Sequence, residues 1–176
     1  MRWSSALLSG ALVLGLAGVA SATVMVRASV EELTRASERV VYGRVAAARA
    51  REGGPRGEGG IFTRVELEVD ETWRGPSAPR AVLWVHGGRV GERAMRVHGQ
   101  ATFEPGERVV VFLSDAGGAW FPTGMSQGKW RVEGGLARSA ADEAALVTRG
   151  PDGLEAATAP APMSLDALRA RVRGAR

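Results

Sequence analysis

The stretch Ile61–Trp73 constrains this chain most, because its apolar residues Ile61, Val65, Leu67 and Val69 interleave with Arg64, Glu66, Glu68 and Asp70. An extended strand sends successive side chains to opposite faces, so the segment has one dry face and one charged face. That division suits an antiparallel sheet curled around a small core and suits a doubly covered parallel sheet poorly. A second run, Val109–Leu113, follows Pro105-Gly106 and is apolar on both faces, so it is expected to be the most buried strand. The chain is therefore read as mainly β: a small antiparallel barrel of five or six principal strands with a short helix before it and another after it.

The remaining elements follow in order. Ser29-Val30-Glu31-Glu32 spells a capping box for a helix ending near Glu38, with Leu33 and Ala36 as its expected buried side. Val40–Ala48 is the next strand, placing Val41, Gly43 and Val45 on one face and Val40 and Tyr42 on the other. Gly43 in mid-strand marks a bulge or a barrel corner. The glycine-rich segment Arg51–Gly60 is expected to be a mobile hairpin loop. Ala81–His86 is strongly β-forming, Arg93–Val97 and Ala119–Phe121 are short strands, and Gly128–Glu133 pairs with Leu136–Arg138 across Gly134-Gly135. Residues 142–163 have few bulky apolar side chains and read as a poorly ordered linker or extended segment. Ser164 caps a final helix over 164–176 whose Leu165, Leu168 and Val172 form one stripe, and its Arg169, Arg171 and Arg173 are expected to be a solvated face.

Export is written into the first residues. Arg2 is a positive n-region, Ala6–Ala17 is an uncharged apolar run, and Ala20-Ser21-Ala22 places small residues where a signal peptidase reads them. Residues 1–22 are thus expected to be a cleaved signal peptide, directing the chain to the periplasm or the exterior. Removing 22 of 176 residues leaves 154, enough for one domain (the barrel, 23–141) with its own core. No later run is long enough to span a bilayer, so the mature chain is expected to have no membrane span. The full chain carries 23 Lys plus Arg against 19 Asp plus Glu, a modest excess that points away from a nucleic-acid partner. The chain has no cysteine, which excludes thiol catalysis, thiolate metal ligation and disulfide stapling.

Motifs that carry chemistry elsewhere are incomplete here. Gly124-Met125-Ser126-Gln127-Gly128 matches a nucleophile elbow, but a strand follows it rather than a helix, and both histidines, His86 and His98, lie upstream. Ser126 and Lys129 have Ser-x-x-Lys spacing without its companion elements. His86 and His98 fall short of the three protein ligands a catalytic zinc takes, even with Glu92, Glu104 or Asp115 nearby. No metal or other cofactor is expected. The aromatic residues Trp120, Phe121 and Trp130, with the polar Ser126, Gln127 and Lys129, are the candidate binding residues, since aromatic side chains near loops make good anchors.

The order of elements resembles a group of exported bacterial proteins. The residues that carry it are Val40-Val41-Tyr42-Gly43-Arg44-Val45, Val65-Glu66-Leu67-Glu68-Val69 ending in Trp73-Arg74-Gly75, Phe103-x-Pro105-Gly106-Glu107-Arg108-Val109-Val110-Val111-Phe112, and Gln127-Gly128-Lys129-Trp130. More remotely, residues 29–133 resemble the OB-like barrel of tissue inhibitors of metalloproteinases and netrin modules. That resemblance implies an OB-like fold. It does not bring the inhibitory mechanism, which uses an N-terminal cysteine, because the expected mature start is Thr23-Val24-Met25. The functional expectation is a non-enzymatic exported binding or protein-interaction module whose partner is an envelope or extracellular protein. The alternatives are a protease-inhibitor-like protein or hydrolase, and an envelope structural protein.

Overall fold

The computed structural model describes residues 24–143 and 145–175. In chain order its elements are β1 (Val24–Val26), α1 (Val30–Arg35), β2 (Arg39–Glu52), β3 (Ile61–Arg74), β4 (Arg80–His86), β5 (Gly88–Val90) and β6 (Arg93–Met95). They continue with β7 (Arg108–Asp115), β8 (Trp120–Pro122), β9 (Lys129–Glu133), β10 (Leu136–Ser139), β11 (Ala145–Gly150), β12 (Gly153–Ala157), β13 (Met163–Ser164) and α2 (Leu165–Gly174). The expected signal peptide lies outside the described residues.

Five strands close into a barrel in the order β7-β2-β3-β4-β8, with β8 returning to β7. Every pairing is antiparallel except β4 with β8, which is parallel. The fold is thus a mainly β barrel flanked by an N-terminal and a C-terminal helix, consistent at this level with an OB-like fold. One edge of β7 serves two neighbours. Leu113–Asp115 takes β8, whereas Val109–Val111 takes β9. Strands β4 and β9 are therefore not paired to each other, and a cleft opens beside the end of β4.

Alternation along β7 makes two cores. Val109, Val111 and Leu113 face into the barrel with Val41, Val45, Val65, Leu67 and Leu83. Val110 and Phe112 face outward under both helices, against Val30 and Leu33 of α1, Leu168 and Val172 of α2, and Trp73 and Trp130. The sheet thus needs the helices, because without them its second apolar face would meet water. Gly43 permits the tight curl. The β2–β3 register slips between Tyr42 and Gly43, and a Cβ at Gly43 would sit 2.1 Å from the Glu68 carbonyl oxygen.

The caps form as the sequence requires. Ser29 Oγ accepts from the Glu32 N–H while the Glu32 carboxylate accepts from the Ser29 N–H, and Ser164 caps α2 through the Ala167 N–H. Helix α1 is shorter than expected and buries Val30, Leu33 and Thr34, leaving Ala36 exposed, because the chain leaves the helix at Ala36 to enter β2. The arginines of α2 are not merely a solvated face. Arg171 Nε and Nη2 each donate at 2.8 Å to the two Glu31 carboxylate oxygens on α1, and Arg169 pairs with Glu71 of β3 at 2.6 Å. The glycine-rich 53–60 turn is pinned by Arg56, which pairs with Glu58 and donates to the Ala116 carbonyl at 2.7 Å. Residues 145–157 of the expected linker or extended segment form the β11–β12 hairpin. Strand β1 adds to it in parallel, and Met25 packs with Leu146 and Ala141.

Candidate functional site

The cleft beside β4 encloses about 380 Å³. One wall is Thr63, Val85, His86, Gly87 and Gly88, and the facing wall is Ser126, Lys129 and Arg131. Ala140 and the segment 95–103 line the rest, and that segment plugs the barrel behind the cleft with Ala101 and Phe103, both buried in the barrel core. Its volume lies at the lower end of the range for small-molecule sites, about 300–1,000 Å³.

A 3₁₀ turn over Met125–Gly128 delivers Ser126 to this cleft. The turn is tight. Gly124 and Met125 both have left-handed φ, 65° and 60°, and Met125 is alone among the described non-glycine residues in doing so. Such a conformation is costly for a side chain with a Cβ, about 1–2 kcal/mol. Gly128 closes the turn where a Cβ would stand 2.2 Å from the Thr123 carbonyl oxygen. The Ser126 N–H donates to the Gly99 carbonyl at 3.0 Å, which ties the turn to the opposing segment. Its hydroxyl is different. Ser126 is 4% exposed, and its Oγ has no hydrogen-bond partner among the described residues. The other buried polar side-chain atoms in that condition belong to Arg39, Thr72, Trp130 and Arg169, none of which lines the cleft.

Lys129 also lines the cleft, but its ammonium is already engaged. Its side chain is 2% exposed, and Nζ donates to Glu107 Oε2 at 2.7 Å and to the Thr102 carbonyl at 2.5 Å, with the Phe103 ring centroid 4.6 Å away. Burial pulls the Lys129 ammonium below the usual lysine range, and the Glu107 carboxylate opposes that shift. The two motifs that stood apart in the sequence, Phe103–Phe112 and Gln127–Trp130, are therefore each other's partners. Gln127 faces the other way. Its Oε1 accepts from the Ala28 N–H at 2.7 Å and its Nε2 donates to the Val26 carbonyl at 3.0 Å, clamping the chain between β1 and α1.

The candidate aromatic residues do not converge on the cleft. Trp130 is fully buried beneath the helices, Trp120 is half-buried against the barrel core, and Phe121 is half-buried beside Phe62 and Trp84. Of the six candidates, Ser126 and Lys129 line the cleft. Sequence reasoning passed over Arg96, Gly99 and Gln100 as lining residues: Arg96 falls inside the expected strand Arg93–Val97, which ends at Met95, and Gly99 and Gln100 lie in a segment with no periodicity to read.

His86 and His98 share the cleft with Ser126. Neither histidine hydrogen-bonds the Ser126 hydroxyl. The His86 ring lies between those of Phe62 and Phe121, at centroid distances of 4.6 and 5.6 Å. Among the described residues no group of three His, Asp or Glu side chains is placed to hold a metal ion. None of their helices is long and apolar enough to cross a membrane. No protein-family model matches the chain, and neither a curated protein nor a solved structure matches it.

Proposed function

We propose that the chain is an exported, non-enzymatic binding module that takes a small ligand in the cleft beside β4. The observation that carries this reading is the Ser126 hydroxyl, buried at the cleft wall with no partner among the described residues. A buried hydroxyl without a hydrogen bond costs about 1–3 kcal/mol, and a left-handed Met125 holds it in place at a further cost. A bound molecule that hydrogen-bonds Ser126 would relieve the first of these. Binding is favoured over hydrolysis because no base accepts the Ser126 proton and the Lys129 ammonium is held by Glu107.

A library of small polar molecules screened by amide chemical shifts tests this. Hits are expected to move Gly99 and Ser126, and hits scattered over the surface with none at those amides would contradict it. With para-nitrophenyl acetate, wild type and Ser126→Ala are expected to give the same hydrolysis rate, whereas a rate that depends on Ser126 would favour a hydrolase. Export is tested by sequencing the N-terminus of the chain recovered from cells. Thr23 is the expected first residue, and retention of Met1 would overturn that part of the reading.

A further inference from the structure

We propose that the ligand of this cleft is a small organic oxyanion, a molecule whose carboxylate or phosphate is held by Arg96, the imidazoles of His86 and His98, and the Ser126 hydroxyl. The inference rests on the cleft being a binding site, as argued above, and adds the chemical class. Its ground is the character of the wall. Arg96, His86, His98, Lys129 and Arg131 all line the cleft, and no described aspartate or glutamate does.

The contributions of these residues differ. The Lys129 charge is answered from behind by Glu107, which does not line the cleft, and Arg131 has a partner of its own. Arg96 is exposed and makes no hydrogen bond or ion pair with any described residue, so its five N–H donors are available at the rim. Histidine keeps at least one N–H donor in either protonation state, and His98 is exposed on the same segment as Arg96. Ser126 Oγ–H is a donor at the buried end. A carboxylate or phosphate is acceptor-rich and carries the charge that a guanidinium matches in geometry, with hydrogen bonds roughly twice as strong as neutral ones. A cationic ligand would face Arg96 with no described carboxylate to offset it.

The test uses four probes of similar size on the isotope-labelled mature chain: benzoate, phenyl phosphate, benzyl alcohol and benzylamine. Amide shifts of Gly99, Ser126 and Lys129 are followed through each titration. Benzoate, phenyl phosphate or both should move these amides saturably, and whichever binds more tightly identifies the oxyanion. Benzyl alcohol and benzylamine should leave them in place. Arg96→Ala, an exposed change that leaves the remaining spectrum unaltered, should weaken oxyanion binding about tenfold, the loss of one charge-assisted contact. Equal binding of benzyl alcohol or benzylamine would overturn the oxyanion assignment while leaving the cleft a binding site, as would an Arg96→Ala affinity equal to wild type. Failure of all four probes to shift any of the three amides would overturn both.

Discussion

Neutralising Glu107 should damage the protein more than removing the lysine it pairs with. Lys129 is 2% exposed in its side chain and Glu107 is 22% exposed, so only the carboxylate can regain water when its partner is lost. Glu107→Gln keeps a carbonyl acceptor where Oε2 now receives both the Glu104 N–H at 2.9 Å and the Lys129 ammonium at 2.7 Å, but it leaves that buried ammonium without an opposing charge, beside only the neutral Thr102 carbonyl and the Phe103 ring. Removing one partner of a buried pair costs about 3–5 kcal/mol, and the lower end, about 3 kcal/mol, fits a site that water partly reaches. Lys129→Met fills the same volume against Phe103 and returns Glu107 to solvent, for about 1 kcal/mol. With a urea dependence of about 2 kcal/mol per molar, the midpoint should fall by about 1.5 M for Glu107→Gln and about 0.5 M for Lys129→Met. The double variant should resemble Lys129→Met alone.

The pH dependence gives a second sign to check. Burial already holds the Lys129 ammonium below its ordinary value, and losing the Glu107 charge removes the main opposition to that shift, leaving the weaker pull of Glu104. A cation whose folded pKa lies below its unfolded one weakens the fold while charged. The Glu107→Gln penalty should therefore be larger at neutral pH than in alkali, shrinking as the pH rises toward the ordinary lysine value, about 10.4. A Lys129→Met penalty larger than that of Glu107→Gln, or a Glu107→Gln penalty that grows with alkali, would refute the argument.

Three further substitutions probe the frame. Gly43→Ala drives a Cβ into the Glu68 carbonyl oxygen at 2.1 Å and should cost about 3 kcal/mol by denaturant unfolding, since only a backbone shift relieves it. Arg171→Ala releases Glu31, whose carboxyl is held below its usual range chiefly by hydrogen bonding to Arg171. With both side chains more than a third exposed, the loss should be about 0.5 kcal/mol at pH 7, and it should vanish as the pH drops below about 4.3 and Glu31 protonates. Gln127→Ala leaves the Ala28 N–H and Val26 carbonyl without their partner, so it should cost about 2 kcal/mol and speed hydrogen exchange at Ala28.

What the sequence discloses is what depends on local periodicity. Alternation in Ile61–Trp73, the two-sided run Val109–Leu113 and the Ser29 and Ser164 caps all act through neighbours within a few residues, and each is found where the pattern places it; Gly43 is legible as a break in its strand, whereas the Glu68 carbonyl that excludes a Cβ there is not. Closure of the barrel depends instead on β8, three residues pairing at Leu83↔Trp120 with a strand far back in the chain, and no pattern in so short a segment announces its partner. The β1–β11 pairing is hidden for the same reason. Lys129 shows how the site itself escaped. On an alternating strand it occupies the polar face, where solvent is the default; burial comes from a turn 22 residues earlier folding over it. Likewise Arg169 and Arg171 look like a charged helix face until Glu71 and Glu31 are brought beside them.

The most direct measurement is the unfolding free energy of Ser126→Ala in the absence of ligand, compared with wild type. If the hydroxyl is kept partnerless for a bound molecule, removing it from its buried position should leave stability unchanged or raise it by about 1 kcal/mol. A loss of 1 kcal/mol or more, about the value of one satisfied hydrogen bond, would mean that Ser126 holds the fold together, and the cleft would lose its strongest claim to a ligand.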